Sequence, residues 1–248
     1  MHENPLILDL QRQKLVQVDG YNIWKKKKEE TLWEASKTAL LLCDVWDNHW
    51  CRGAVERLDA MIDRMEKVVR VCRSEGVLIV HAPSSTMDFY VDSPARKRVF
   101  TAPGLDSIDE LEHGDPPLPI DASDHGSDTG ETDPHGAWHR QHSGIEIDEE
   151  RDIISDEGKE IYPYLKHHDI NHLLIMGVHT NMCVLHRSFG IKQMVRWGMD
   201  VALIEDLTDT MYNPASAPYV SHEEGTQLVI DFIEKFWCST IHSSDLFL

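Results

Sequence analysis

The chain has 248 residues, enough for one large α/β domain with a full core. It carries 24 Lys and Arg against 43 Asp and Glu, a formal net charge of −19, which argues against a nucleic-acid or anionic-membrane surface. Met1-His2-Glu3-Asn4-Pro5 shows no signal-peptide pattern, no apolar run reaches the length of a membrane span, and the five cysteines are odd in number and irregularly spaced, so reduced thiols and a cytoplasmic location are expected.

In chain order, residues 1–36 read as an N-terminal extension. Leu6-Ile7-Leu8-Asp9-Leu10 and Leu15-Val16-Gln17-Val18 are expected to pair as short strands, either as an arm against a neighbouring subunit or as a surface arm. Lys25 to Lys28 read as a solvated basic face. From residue 37 to 248 strand and helix alternate. Ala39-Leu40-Leu41-Leu42-Cys43-Asp44 is an apolar strand ending in a carboxylate. A helix over 54–75 follows, with Leu58, Met61, Ile62, Met65, Val68, Val69 and Cys72 at helical spacing; Gly76 ends it, and Val77-Leu78-Ile79-Val80-His81 is a second buried strand.

Residues 102–136 form an acidic insertion rich in Pro, Gly and Asp with little periodicity. A helix is expected at 157–168, a strand at 171–177, a helix at 183–197, a strand at 199–204 and a last helix near 222–237. Repeated βα units with apolar strands indicate a parallel sheet with helices on both faces.

The most informative stretch is Gly177-Val178-His179-Thr180-Asn181-Met182-Cys183, between the apolar run Leu173-Leu174-Ile175-Met176 and a helical pattern. Cys183 therefore sits where a strand turns into a helix. Free backbone N–H groups and the positive end of a helix dipole there would lower a thiol pKa and could hold an oxyanion. Asp44, at the same C-terminal sheet edge, is placed to accept the thiol proton. The competing reading of Cys183 is a small core residue.

These residues, together with Val201-Ala202-Leu203-Ile204-Glu205-Asp206, resemble the isochorismatase-like cysteine hydrolases, a group that includes nicotinamidases and N-carbamoylsarcosine amidases; the resemblance covers roughly residues 37 to 240. It implies a Rossmann-like three-layer α/β/α fold with a mostly parallel six-stranded sheet, and a homo-oligomer, dimer or tetramer. It makes Cys183 the nucleophile and Asp44 the general base. It gives the oxyanion to the backbone N–H groups of His179 and Cys183, often after a cis peptide, here Val178–His179. The acidic insertion becomes a candidate lid.

The family's third catalytic residue is a lysine closing the third strand of the sheet. Asp148-Glu149-Glu150-Arg151-Asp152, at the usual distance before the cysteine, holds none. With an insertion between, the third strand is Ala137-Trp138-His139-Arg140-Gln141-His142, and Arg140 takes the lysine's place, with Gln141 a second polar candidate. Arginine can neutralise Asp44 but cannot shuttle a proton. Lys159 and Lys166 fall on the outer face of a helix.

Trp46, His49 and Trp50 follow Asp44 and, with Gln141 and His179, are expected to line a pocket for a flat substrate; ordinary packing is the alternative for both tryptophans. No cofactor is required by this reading. Asp47, His49 and His81 are metal-type side chains near the same edge and make zinc a candidate, although the Asp-x-His of the nicotinamidases is replaced by Ala82-Pro83-Ser84-Ser85. Asp124, His125 and Asp128 in the acidic loop are a second candidate cluster. The expected function is hydrolysis of a small amide or ureide C–N bond through a cysteine thioester. The alternatives are a non-catalytic small-molecule binder and an ether or ester hydrolase.

Overall fold

The computed structural model describes residues 5–105 and 107–247. β3 (Thr38–Cys43), β4 (Leu78–Ala82), β5 (Ile153–Ile154), β6 (His172–Val178), β7 (Asp200–Asp209) and β8 (Ser239–Ile241) pair in parallel, with β3 and β6 at the centre. β3 is buried along its whole length, as expected of a strand covered on both faces. Its side chains divide between two cores. Leu40 and Leu42 join Leu58, Ile62, Met65, Val68 and Val69 of α1 (Arg52–Glu75). Ala39, Leu41 and Cys43 join residues of α3 (Gly158–His167), α5 (Ile191–Arg196) and α6 (His222–Phe236).

The sheet has eight strands rather than six, in the order β2-β1-β8-β7-β6-β3-β4-β5. The two extra strands are the N-terminal extension, β1 (Pro5–Val18) and β2 (Tyr21–Glu34), and β1 joins β8, the last strand of the parallel set, through Gln11 and Thr240. The two apolar runs expected to pair with each other lie instead on one continuous strand. The hairpin turns at Asp19-Gly20, both with positive φ (51° and 84°), the geometry a two-residue turn between twisted strands requires.

Three further expectations change. The segment 137–142 is not a strand: Gln141 makes only an isolated bridge to Trp46. The strand beside β4 is β5, and it runs into Ser155 and Asp156, with no lysine. The helix expected at 183–197 is broken into α4 (Cys183–His186) and α5, because Arg187 leaves the helix in an extended conformation. The strand expected to end at 204 continues to Asp209. A bulge on β7 moves its partners from Ile175↔Leu203 to Gly177↔Thr208 and Val178↔Asp209, which delivers Asp209 to the turn before Cys183.

α2 (Pro94–Arg98) lies just before the acidic insertion, whose described residues hold no helix or strand. It is tied down by ion pairs and hydrogen bonds: Asp128 to Arg57, and Asp124 to Asn213 and Ser216. All five cysteines are unpaired. No helix among the described residues is long and apolar enough to cross a membrane.

Candidate active site

Asp44 closes β3 with φ at 51° and is fully buried. One carboxylate oxygen accepts the Ser84 backbone N–H at 2.7 Å, and the other accepts Arg187 Nε at 3.1 Å. The Cys183 thiol lies beside the same carboxylate, close enough for each group to shift the other's pKa. Burial raises the Asp44 pKa, while Arg187, the thiol and Ser84 oppose that rise.

Cys183 opens α4. Its thiol is pushed up to about 12, first by burial and then by the charge of Asp44, against a smaller lowering by Arg187. The expected depression by a helix dipole is overturned: α4 is only four residues long and a buried carboxylate lies beside the sulfur. The resting group is a neutral thiol beside a buried carboxyl group.

The turn before Cys183 is shaped by its backbone. Val178–His179 is a cis peptide, at the bond the resemblance singles out. The His179 N–H favours the thiolate of Cys183, a smaller influence than burial or the charge of Asp44. Gly177 has φ +124°, and a Cβ there would fall 2.0 Å from the Cys43 carbonyl oxygen, so only glycine lets β6 pass the end of β3.

Arg140 does not reach Asp44. It is about half exposed, pairs with Asp47 at 3.9 Å and lies over the Phe89 ring. The cation on Asp44 is Arg187, which sits one turn beyond Cys183 and donates its N–H to the Cys183 carbonyl. The signal was present in the sequence as Cys183-x-x-x-Arg187, an i,i+4 pair that faces the same way from a helix start. Lys159 and Lys166 are exposed, and Lys166 bonds Asn171.

The expected pocket residues form an aromatic group. Trp46 is buried, stacks on Trp138 at 4.0 Å and donates its indole N–H to the Ser84 carbonyl, so its role is largely packing. His49 stacks 5.7 Å from Trp138, lies 5.4 Å from Trp50 and meets His179 edge-on at 4.9 Å. Sequence reasoning had not selected Trp138. Burial lowers the pKa of His49 to about 4 and of His179 to about 3, so both rings are neutral near pH 7. His49 Nδ1 accepts the Cys51 N–H, which leaves the proton on Nε2. Both nitrogens of the buried His179 ring lack a hydrogen-bond partner. Gln141 turns its carbonyl oxygen to the buried ring of His81, 2.8 Å away.

Behind His179 lies a second charged cluster that sequence reasoning missed. Asp209 accepts His222 Nε2 at 2.8 Å and Arg57 Nε at 2.9 Å, and Arg57 reaches Asp128 of the insertion at 2.7 Å. His222 Nδ1 lies 2.9 Å from the Tyr212 carbonyl oxygen. With acceptors at both nitrogens, the ring is held as imidazolium, and its pKa is raised by Asp209 against the cost of burial.

The candidate zinc ligands are not brought together. His81 is held by Gln141 and Asp152, and Asp47 accepts the backbone N–H groups of His139 and Arg140. Asp124 and Asp128 likewise have separate partners. Among the described residues no group of three or more His, Cys, Asp or Glu side chains has the arrangement of a metal site, so no step is routed through one.

The fold matches several solved structures. A cysteine hydrolase from Pseudomonas syringae pv. phaseolicola 1448A is 13% identical with a TM-score of 0.55, the match covering 86% of this chain and 92% of that one. An isochorismatase from Pseudomonas putida KT2440 is 13% identical with a TM-score of 0.52, covering 85% and 90%. An isochorismatase family protein from Desulfovibrio vulgaris subsp. vulgaris str. Hildenborough is 13% identical with a TM-score of 0.51, covering 85% and 96%. At these identities the likeness speaks for the fold alone. No curated protein matches the sequence. The profile of the isochorismatase domain matches residues 38–217, most of the chain and all of the parallel sheet except β8. The chain therefore belongs to the isochorismatase family of hydrolases.

Proposed function

We propose that this protein hydrolyses the C–N bond of a small, flat amide or ureide through a thioester on Cys183. The observation that carries the reading is the buried Asp44 carboxylate at the end of β3, which lies beside the Cys183 thiol and accepts Arg187 Nε at 3.1 Å. Asp44 takes the thiol proton as sulfur attacks the carbonyl carbon, so a free thiolate need not accumulate. The oxyanion forms beside the backbone N–H groups of His179 and Cys183. Asp44 returns its proton to the leaving nitrogen, the C–N bond breaks, and the acyl group stays on sulfur. Water then attacks the thioester, its proton passes through Asp44 to sulfur, and the acid departs.

Arg187 favours the ionised form of Asp44 against the effect of burial but exchanges no proton, so Asp44 carries the proton traffic alone. The neutral His49 and His179 rings are placed to hydrogen-bond a planar substrate beside the aromatic group, and the unpartnered nitrogens of His179 support that role. A panel of small amides and ureides, scored for released ammonia or amine and for an acyl adduct on Cys183 by mass spectrometry, tests the reading. The expected result is amine release with a transient adduct, both lost in Cys183→Ala. Turnover that survives Cys183→Ala would overturn it, and tight ligand binding without any adduct would leave a small-molecule binder.

A further inference from the structure

β2 ends the eight-stranded sheet, and among the described residues nothing pairs with its outer side. It is 14 residues long, and Tyr21 to Glu30 are all exposed. Such an edge is a template for another strand, which proteins normally blunt with charge or proline. β2 has charges, but in blocks of opposite sign: Lys25-Lys26-Lys27-Lys28 followed by Glu29-Glu30.

We infer that β2 pairs antiparallel with β2 of a second copy about a twofold axis at Lys28. Symmetry restricts the choice of register. A twofold axis perpendicular to a sheet preserves its faces, and directly opposed residues share a face, so the axis must pass through a residue opposed to itself. An axis at Lys27 sets Lys26 against Lys28, one at Glu29 opposes a Lys to a Glu only at Lys28 and Glu30, and one at Glu30 only at Lys26 and Glu34. The axis at Lys28 sets Lys27 against Glu29 and Lys26 against Glu30, each twice. It also sets Trp24, 40% exposed, against Leu32, 62% exposed. The Lys27–Glu29 pair already present within one strand, 2.8 Å apart, becomes half of a four-charge cluster on one face. The only like-charged meeting is Lys28 with itself. Opposed charged and apolar pairs of this kind are what fix register between strands. The product is one continuous sheet through two copies, with the catalytic edges left free.

Sedimentation equilibrium of the whole protein is expected to show a dimer. Lys28→Cys should cross-link to itself under mild oxidation, because opposed Cβ atoms lie about 5 Å apart. Lys25→Cys and Thr31→Cys, whose copies are separated by about 20 Å along the strands, should not self-link but should link to each other when mixed. Lys27→Glu and Glu29→Lys should each weaken the dimer, and a mixture of the two should restore it as a heterodimer. These side chains are exposed, apart from the half-buried Thr31, and far-UV circular dichroism checks that each variant folds. A monomer by sedimentation would overturn the inference. So would a dimer in which Lys28→Cys cross-links no faster than Thr31→Cys, since association would then use another face.

Discussion

Arg187 Nε stands 3.1 Å from Asp44 Oδ2, and this contact places a permanent cation against the buried carboxylate. Asp44 is fully buried, and burial is the largest influence on its pKa, working against ionisation. Removing the partner of a buried charge costs about 3–5 kcal/mol. Arg187→Met is therefore expected to lower stability by about 3 kcal/mol and turnover by at least about 100-fold, because a protonated Asp44 cannot accept the thiol proton. Arg140→Met removes only a half-exposed pair to Asp47 and should leave kcat/KM within about twofold. Thermal melts and steady-state kinetics on the best substrate separate the two; equal losses would show that Arg140 matters as much as Arg187.

The thiol of Cys183 should not behave as a preformed thiolate. With its pKa pushed to about 12, its alkylation rate should keep climbing with pH beyond the free-thiol value of about 8.5. Asp44→Asn takes away the charge that raises the thiol pKa and leaves Arg187, which lowers it. The variant should therefore alkylate faster than wild type near neutral pH while losing turnover, since no base remains. Iodoacetamide rates against pH, read on the Cys183 peptide, check both halves. An Asp44→Asn thiol slower than wild type would mean that the carboxylate does not suppress the thiolate.

The parallel sheet and the positions of Asp44 and Cys183 after the neighbouring strands β3 and β6 were legible in the sequence because their signals are local. Apolar runs bounded by Gly76 and Gly198 give β4 and β7 their approximate positions, and a strand-to-helix turn marks Cys183. The replacement for the lysine was misplaced because it was sought on a strand, whereas the cation comes from the turn after the nucleophile. Arg187 is placed by the break between α4 and α5, which depends on packing against α3: the Gly158 N–H bonds Ser188, and no Cβ fits at Gly158 against the Ser188 carbonyl. The hairpin was read too short because β2 is charged through its middle and lacks strand alternation; Asp19-Gly20 was the available signal. Asp209 was hidden by the bulge in β7, whose register is set by tertiary pairing.

Gly177→Ala is expected to be among the most damaging single substitutions in the chain. Its Cβ would meet the Cys43 carbonyl oxygen at 2.0 Å, with the nearest atoms all backbone of Cys43 and no flexible side chain to yield, at a φ that alanine avoids. Clash and strain at the junction of β3 and β6 should cost at least about 4 kcal/mol. Soluble expression and a denaturant midpoint measure this. A variant within about 1 kcal/mol of wild type would mean that the two strand ends can separate.

The cluster behind His179 should leave a signature in stability against pH. The His222 pKa is raised in the folded protein, so its contribution is fully present below the unfolded value of about 6.5 and is lost as pH rises through the folded value. Asp209 is shifted down by the His222 hydrogen bond and nearby cations, despite burial, so its contribution is present above about 3.9 and lost as pH falls through its folded value. The pair therefore favours folding most between those two values and less at pH 9. His222→Gln cannot carry the charge. It should lower stability by about 2 kcal/mol at pH 6 and by less at pH 9, narrowing the difference between the two conditions. Denaturant midpoints of both proteins at pH 6 and 9 test this. An equal loss at both pH values would mean that the ring acts through packing, and that the Asp209–His222 contact holds no charge.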